Sequence, residues 1–134
     1  MSNYPLFLEL KNYIRENPEL RQDPVIRHKI VDLEIEFEAG KWLIYRVAWL
    51  LSKGELPNYE SALAKAFGTT FEKKLSNEVM QILGLDGQIW GENAPIAGWA
   101  PENYLSSLGN SLRGGTTEIL KNIVALRGLG LPNK

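Results

Sequence analysis

Residues 23–54 read DPVIRHKIVDLEIEFEAGKWLIYRVAWLLSKG, a run in which no strong helix breaker stands between its two ends. Asp23 followed by Pro24 is a helix start signal, because aspartate caps the first turn and proline is tolerated at its first position. The next firm stop is Gly54, since the lone Gly40 costs a helix only about 1 kcal/mol. The run predicts a helix of about 30 residues, roughly 45 Å long, which is typical of a helix bundle rather than of an α/β unit.

The apolar side chains of this helix recur mostly at three- and four-residue intervals, which is the spacing of one helix face. We expect this face to lie in the core. It comprises Ile26, Ile30, Leu33, Phe37, Ile44, Val47 and Leu51.

Four carboxylates on the same helix raise the question of a metal site. They are Asp32, Glu34, Glu36 and Glu38. A di-metal bundle also needs Glu-x-x-His pairs on the partner helices, and His28 is the only histidine. No metal site is therefore predicted. The carboxylates are interpreted as a solvated acidic face and His28 as an exposed side chain.

Breakers divide the rest of the chain into further helices and one loop. Asn17-Pro18 ends a short first helix, because the residue before proline avoids the helical region. Gly84 is the expected stop of a second long helix. The predicted helices span residues 6–15, 23–53, 59–83, 101–108 and 117–127. No strand is predicted, and the expected fold is an all-α, antiparallel four-helix bundle.

The connection over residues 84–101 is rich in glycine and proline and predicts an irregular loop. Trp90 and Trp99 lie within it. Because a tryptophan can bury a large apolar area, we interpret both as anchors that hold the loop on the bundle.

Composition narrows the class of protein. The 134 residues predict one domain, and the net charge of -1 excludes the basic footprint of a nucleic-acid-binding protein. The sequence contains no apolar run of about 18 residues, so no membrane span is predicted. The amino end lacks the pattern of a secretory signal, and there is no cysteine, which together favour a cytoplasmic location.

A second informative run covers residues 111–123, SLRGGTTEILKNI. Its two glycines allow positive φ and a close approach of the backbone to a ligand. Thr116 and Thr117 can cap the last helix and leave its first amide groups pointing at an acceptor. With one histidine and no cysteine, no catalytic triad can be assembled. The residues alone therefore indicate a helix bundle without an assigned chemistry.

Four segments, in order, resemble the C-terminal helical domain of the acyl-CoA dehydrogenases. The first segment opens the long helix, and the second is a Ser-x-x-Ala-Lys segment. The third is a Gln-Ile-x-Gly-x-x-Gly turn. The fourth consists of the Gly-Gly turn and the Gly-Leu-Pro near the end of the chain. They are residues 23–33, 61–67, 81–87 and 114–119 with 130–132. Together they span nearly the whole chain.

The resemblance implies a function for a larger enzyme. Family members oxidise an acyl-CoA thioester to the 2,3-enoyl-CoA, with a carboxylate taking the α proton and FAD taking the β hydride. The N-terminal and middle domains of such a subunit are missing from these 134 residues. The chain is expected to be a fragment or domain of a larger acyl-CoA dehydrogenase, or a small subunit. The resemblance also implies a homo-oligomer. The alternative function is a non-catalytic helical subunit that assembles with a separate flavoprotein chain.

Five residues match family positions near FAD: Gln81, Gly84, Leu85, Thr116 and Glu118. The resemblance implies that Gln81 helps to hold the FAD of a neighbouring subunit, and Leu85 stands where many members have a second glycine. The alternatives are a surface glutamine at 81, a plain helix C-cap at Gly84 and a plain N-cap at Thr116.

The usual position of the catalytic base, just before the last turn's Gly-Thr, is occupied here by Gly114. Glycine cannot abstract a proton, and Glu118 matches a position on the flavin side instead. No catalytic residue is assigned in this chain. We expect the isolated chain to be inactive and not to retain FAD.

Overall fold

The described part of the chain, residues 4–133 of a computed structural model, folds into α-helices joined by short connections. The α-helices are α1 (Tyr4–Glu16), α2 (Pro18–Gln22), α3 (Pro24–Ser52), α4 (Glu60–Leu83), α5 (Trp99–Asn110) and α6 (Thr117–Ile123). Two 3-10 helices, Gly84–Gln88 and Pro95–Gly98, connect α4 to α5, and a π-helical turn, Val124–Gly128, follows α6. Residues 4–133 contain no strand, so the predicted all-α class is confirmed.

The ends of α3 are where the sequence places them. The Asp23 carboxylate accepts hydrogen bonds from the backbone N–H of Val25 at 2.7 Å and of Ile26 at 3.3 Å. These two donors have no partner inside the helix, so the cap satisfies them. Pro24 follows at the first helical position, and Lys53 is the C-cap. The local signals alone were sufficient to fix both ends.

The predicted buried face of α3 is correct only in its first half. Leu33 and Phe37 are buried, but Leu51 is 55% exposed and Leu50 is buried in its place. Ile44 is also exposed. In the second half the inward side of α3 is the side that carries Gly40 and Leu50. Neighbouring residues of a helix point about 100° apart, so this one-residue shift moves Leu51 to the outside.

Side chains from α1, α3, α4 and α5 together form the main core. Its aromatic centre is Phe37, whose ring centroid lies 6.0 Å from that of Phe7 and 6.1 Å from that of Phe71. The other buried members are Leu6, Leu10, Ile14, Leu33, Leu75, Val79, Leu83 and Ala100. A smaller cluster of Ala62, Ala66 and Leu120 holds α6 on the first half of α4. Thus α4 packs against α3, α5 and α6 and takes part in both clusters.

The acidic row of α3 lies at the surface, as the sequence predicts: Asp32 is exposed, and the side chains of Glu34, Glu36 and Glu38 are 43%, 37% and 47% exposed. Three of its carboxylates form ion pairs: Lys11 with Glu34 at 2.8 Å, Lys41 with Glu38 at 2.7 Å, and Lys74 with Glu36. Lys11 and Lys74 belong to α1 and α4, so the row ties α3 to both neighbours. Such half-exposed pairs stabilise a fold by about 0–1 kcal/mol each.

Neither a metal site nor a membrane span is evident in the described part of the chain. No group of three or more His, Cys, Asp and Glu side chains in residues 4–133 is arranged to hold a metal ion. His28 is exposed, as predicted. None of the described helices combines the length and the apolar character needed to cross a bilayer.

The connection from α4 to α5 is more regular than predicted, and its tryptophans are not anchors. Trp90 is 60% exposed and Trp99 is 38% exposed. Small residues are buried there instead, namely Gly87, Ala94 and Gly98. The connection lies close to α4 at Gly87, where a Cβ would be 3.1 Å from the Leu83 Cβ, and it folds tightly on itself at Gly98, where a Cβ would be 2.8 Å from the Gly91 nitrogen.

Candidate functional site

The carboxyl end of α4 presents three of the predicted FAD-contact residues. Gln81 is exposed in the last turn, and Gly84 caps the helix with φ 61° and ψ -134°. A Cβ on Gly84 would meet no atom within 4 Å, so the positive φ rather than crowding requires glycine. Leu85 is 83% exposed in the following 3-10 helix. The backbone and the Gln81 amide are therefore open to a ligand at this end.

An open groove of about 490 Å³ lies beside this end of α4. Tyr13, Leu20 and Ile82 line its apolar sides, and Asn17 lies at the corner between α1 and α2. The Asn17 side-chain amide donates to the Tyr13 carbonyl at 2.7 Å, which stabilises the corner. The groove and α2 were missed by the sequence analysis. The Asn17-Pro18 break was the signal, because it turns the chain toward α4.

The glycine turn before α6 has the conformation that the sequence predicts. Gly114 has φ 71° and Gly115 has φ 105°. Thr116 is the N-cap of α6, and its hydroxyl oxygen accepts a hydrogen bond from the Ile119 N–H at 3.4 Å. The positive φ at Gly114 is the left-handed conformation that other residues adopt at a cost of roughly 1 kcal/mol.

The Glu118 carboxylate accepts hydrogen bonds at the start of α6. A hydrogen bond from its own backbone N–H and a second from the Thr116 hydroxyl lower the pKa of the Glu118 carboxyl. The helix start thus already holds an anion. The Glu118 carboxylate beside these N–H groups offers an acceptor to a hydroxyl or amine of a ligand.

Lys65 of α4, the lysine of the Ser-x-x-Ala-Lys segment, lies beside the glycine turn. Its Cε would be 4.0 Å from a Cβ on Gly114. Its ammonium group donates to the carbonyl of Asn110, the last residue of α5, at 3.4 Å. The residue 114 position therefore faces a cation. No local sequence signal indicates a contact between residues so far apart in the chain.

The structure places the two groups of predicted residues at opposite ends of α4. The Thr116 turn and α6 lie against the first half of the helix, where Ala62 and Ala66 contact Leu120. Gln81 follows Ala66 by 15 positions, which is about 22 Å along the axis. One chain therefore does not bring Gln81 and Thr116 to the same ligand atoms.

Replacing Thr116 with alanine is expected to raise the pKa of Glu118 toward its usual value, because one of its two donors is lost. The lowered pKa means that Glu118 stabilises the fold above its unfolded-state pKa, and this contribution disappears as pH falls through the folded-state pKa. The pKa can be measured by NMR titration of the side-chain carboxyl. Thr116→Ser is the control, since it keeps the hydroxyl. An unchanged Glu118 titration in Thr116→Ala would contradict the assignment.

Comparison with known proteins gives a consistent relationship. Residues 7–129 match the family model described as acyl-CoA dehydrogenase, C-terminal domain. The chain is 28% identical over 100 residues to benzylmalonyl-CoA dehydrogenase of Aromatoleum aromaticum. The aligned region covers 75% of this chain and 25% of that protein. It therefore spans about a quarter of the length of this curated relative.

Two solved structures share the fold. A chain of the Tcur3481-Tcur3483 steroid ACAD superposes with a TM-score of 0.89 at 26% identity, over 96% of this chain and 34% of that chain. A chain of the ChsE4-ChsE5 complex from Mycobacterium tuberculosis superposes with a TM-score of 0.81 at 21% identity, over 97% and 36% respectively. The second likeness concerns the fold alone.

Proposed function

This chain belongs to the acyl-CoA dehydrogenase family, and we propose that it supplies the C-terminal helical domain of an FAD-dependent enzyme that oxidises acyl-CoA to 2,3-enoyl-CoA. The observation that carries the proposal is the family match, which extends over residues 7–129. In this role residues 1–134 act as one domain that contributes FAD contacts and an oligomer interface. The two-electron oxidation itself is the chemistry that FAD supplies.

The residues present fit FAD at two separate places. At the end of α4, Gln81 is exposed and Gly84 leaves open space around a positive-φ backbone, so a polar edge of the cofactor can approach closely. At the glycine turn, Glu118 suits a hydroxyl or amine of the cofactor rather than its phosphates. Since these places lie at opposite ends of α4, we infer that they contact different parts of FAD, or two different FAD molecules.

Within such an enzyme this chain positions the cofactor and leaves proton removal to another group. Gly114 carries no side chain, and Glu118 is engaged by its own N–H and by Thr116. A base therefore has to come from the missing part of the enzyme. Because a binding pocket normally covers most of its ligand, the missing middle domain is also needed to enclose the flavin ring.

The names of the relatives suggest which substrates to assay first. One relative is named for benzylmalonyl-CoA and another as a steroid ACAD. Both names describe acyl groups that contain rings. We propose ring-bearing acyl-CoA thioesters as the first substrate class to test.

A second function remains open: a non-catalytic helical subunit that assembles with a separate flavoprotein chain. Two observations favour this function. Glycine occupies the position of the usual base, and α5 carries an exposed apolar row that a separate flavoprotein chain could cover. That row consists of Leu105, Leu108 and the adjoining Leu112. A neighbouring gene that encodes the N-terminal and middle domains would favour this reading over a fragment of a single long chain.

The experiment compares the isolated chain with an assembled enzyme. We expect the chain alone neither to bind FAD at micromolar concentration nor to oxidise acyl-CoA, because it offers each flavin only part of its contacts. Co-expression with a chain that carries the N-terminal and middle domains should give a yellow protein that acyl-CoA bleaches. Flavin fluorescence and an artificial electron acceptor provide the two readouts.

Gln81→Ala tests the FAD contact in the assembled protein. Loss of one hydrogen bond corresponds to about 0.5–1.5 kcal/mol, so FAD affinity should fall roughly two- to twelvefold. Gln88→Ala is the matched control, because Gln88 is an exposed glutamine in the adjoining 3-10 helix. Equal FAD affinity in the two variants would refute a role for Gln81. Turnover by the unmodified isolated chain would overturn the need for a partner.

A further inference from the structure

Two side chains of α4 hold the last residue of α5, Asn110. The Lys65 ammonium group donates to the Asn110 backbone carbonyl at 3.4 Å, and the Asn110 side-chain amide donates to a Glu72 carboxylate oxygen at 2.7 Å. Because Lys65 and Glu72 are seven positions apart, they lie on the same side of α4, two helical turns from each other. The three residues are called the Asn110 clamp here.

The chemistry of the Asn110 clamp requires an amide at position 110. The Glu72 carboxylate only accepts a hydrogen bond, whereas the Arg113 guanidinium only donates, and it reaches the Asn110 side-chain oxygen at 3.4 Å. Asparagine supplies one donor and one acceptor to these two neighbours at once. Aspartate would offer no donor to Glu72, and an apolar residue would offer neither.

Lys65 adds an electrostatic contribution. The carboxyl end of a helix carries a partial negative charge and has carbonyl groups without a partner inside the helix. Lys65 brings a cation to this end of α5 and donates to one of these carbonyls. The clamp thus ties the end of α5 to α4 through the backbone as well as through the side chain of Asn110.

The clamp lies at one end of the glycine turn, residues 111–116. At the other end α6 is held by Leu120, which is 7% exposed in the smaller cluster on α4. Between these two ends Gly114 and Gly115 have the residue type that loses most backbone freedom on ordering. The position of the turn therefore depends on what holds its ends.

We propose that Asn110 is a positioning residue, which fixes the glycine turn on α4 through Lys65 and Glu72 and thereby orders the backbone that leads to the FAD contacts at Thr116 and Glu118. The ordering of the turn is a property of the chain itself, whereas its effect on FAD rests on the proposed function. Asn110 acts through the turn and does not itself have to touch the cofactor or the substrate.

NMR relaxation of the Gly114 and Gly115 amides tests the ordering of the turn in the chain alone. We expect backbone order parameters of about 0.85 in the unmodified chain and below about 0.6 in Asn110→Ala, the values of rigid and flexible backbone. Asn103→Ala is the matched control, because the Asn103 amide donates only within α5, to the Trp99 carbonyl at 2.8 Å. A flexible turn in the unmodified chain, or a turn equally ordered in the two variants, would overturn the proposal.

A pair of substitutions at Glu72 separates the hydrogen bond from charge and packing. Glu72→Gln keeps an oxygen that accepts from the Asn110 amide, whereas Glu72→Met has a similar length but only a weak acceptor. Both remove the same negative charge. We expect the glycine turn to stay ordered in Glu72→Gln and to become flexible in Glu72→Met. Equal order parameters in these two variants would show that the hydrogen bond does not hold the turn.

FAD affinity of the co-expressed enzyme tests the second part of the proposal. Asn110→Ala should lower this affinity at least about fivefold, because binding then has to order the loosened turn, and Asn103→Ala should leave it unchanged. A flexible turn together with unchanged FAD affinity would overturn this part. The relaxation measurements require neither FAD nor substrate, so failure of the clamp is separate from failure of the proposed enzyme.

Discussion

Replacing Phe7 with alanine is expected to lower the free energy of unfolding by about 3–5 kcal/mol, the usual cost of removing a fully buried phenylalanine. Its side chain is 0% exposed, packs on the Phe37 ring, and lies under the Lys11 ammonium group at 4.5 Å from the ring centre. A domain of this size is stabilised by only about 5–15 kcal/mol in total. The variant should therefore unfold at much lower urea concentration, measured by circular dichroism.

Trp90→Ala is the informative comparison for Phe7→Ala. Sequence alone predicts an anchor at Trp90, but its ring is 60% exposed in the structure. Exposed substitutions away from special features usually change stability by no more than about 0.5 kcal/mol. A larger loss in Trp90→Ala than in Phe7→Ala would show that the α4–α5 connection is packed differently from this description.

Gly114→Glu is expected to raise the rate of acyl-CoA oxidation by about 100- to 10,000-fold in an assembled enzyme that contains no other base, which is the typical contribution of a general base. In the isolated chain the same change should produce no activity, because the flavin-enclosing part is missing. The positive φ of 71° at this position adds a conformational cost of roughly 1 kcal/mol, so the variant should also be slightly less stable.

Lys65 sets the pH dependence of that variant. Its side chain borders the residue 114 position, so its ammonium group would favour the ionised form of the new carboxylate and lower its pKa. A lowered pKa makes the carboxylate active at lower pH but a weaker base. Gly114→Glu combined with Lys65→Met should shift the acid limb of the rate profile to higher pH.

Gly114→Gln is the control for the gain of activity. Glutamine has the same length and the same backbone cost but cannot accept a proton as a base. Equal rates in the Glu and Gln variants, or no gain in either, would mean that position 114 is not where proton removal takes place.

The sequence by itself determined the two long helices and their ends, but not α2 or the 3-10 helices between α4 and α5. Asp23-Pro24 and Gly84 act on donors and acceptors within one helical turn, and such short-range chemistry is readable without knowing the fold. The positive φ of the Gly114-Gly115 turn and the Thr116 cap followed for the same reason. The four matching segments also indicated the family, and the family match over residues 7–129 confirms it.

Only the tertiary structure decided what each side chain faces. Leu50 rather than Leu51 is buried, and Lys65 meets the Gly114 turn from a helix about 50 positions earlier. It also showed Trp42 on an uncovered face. Burial and charge contacts depend on which helix packs alongside. The position of the neighbouring helix is set by residues distant in the chain. Periodicity can therefore indicate an apolar face but not which element covers it.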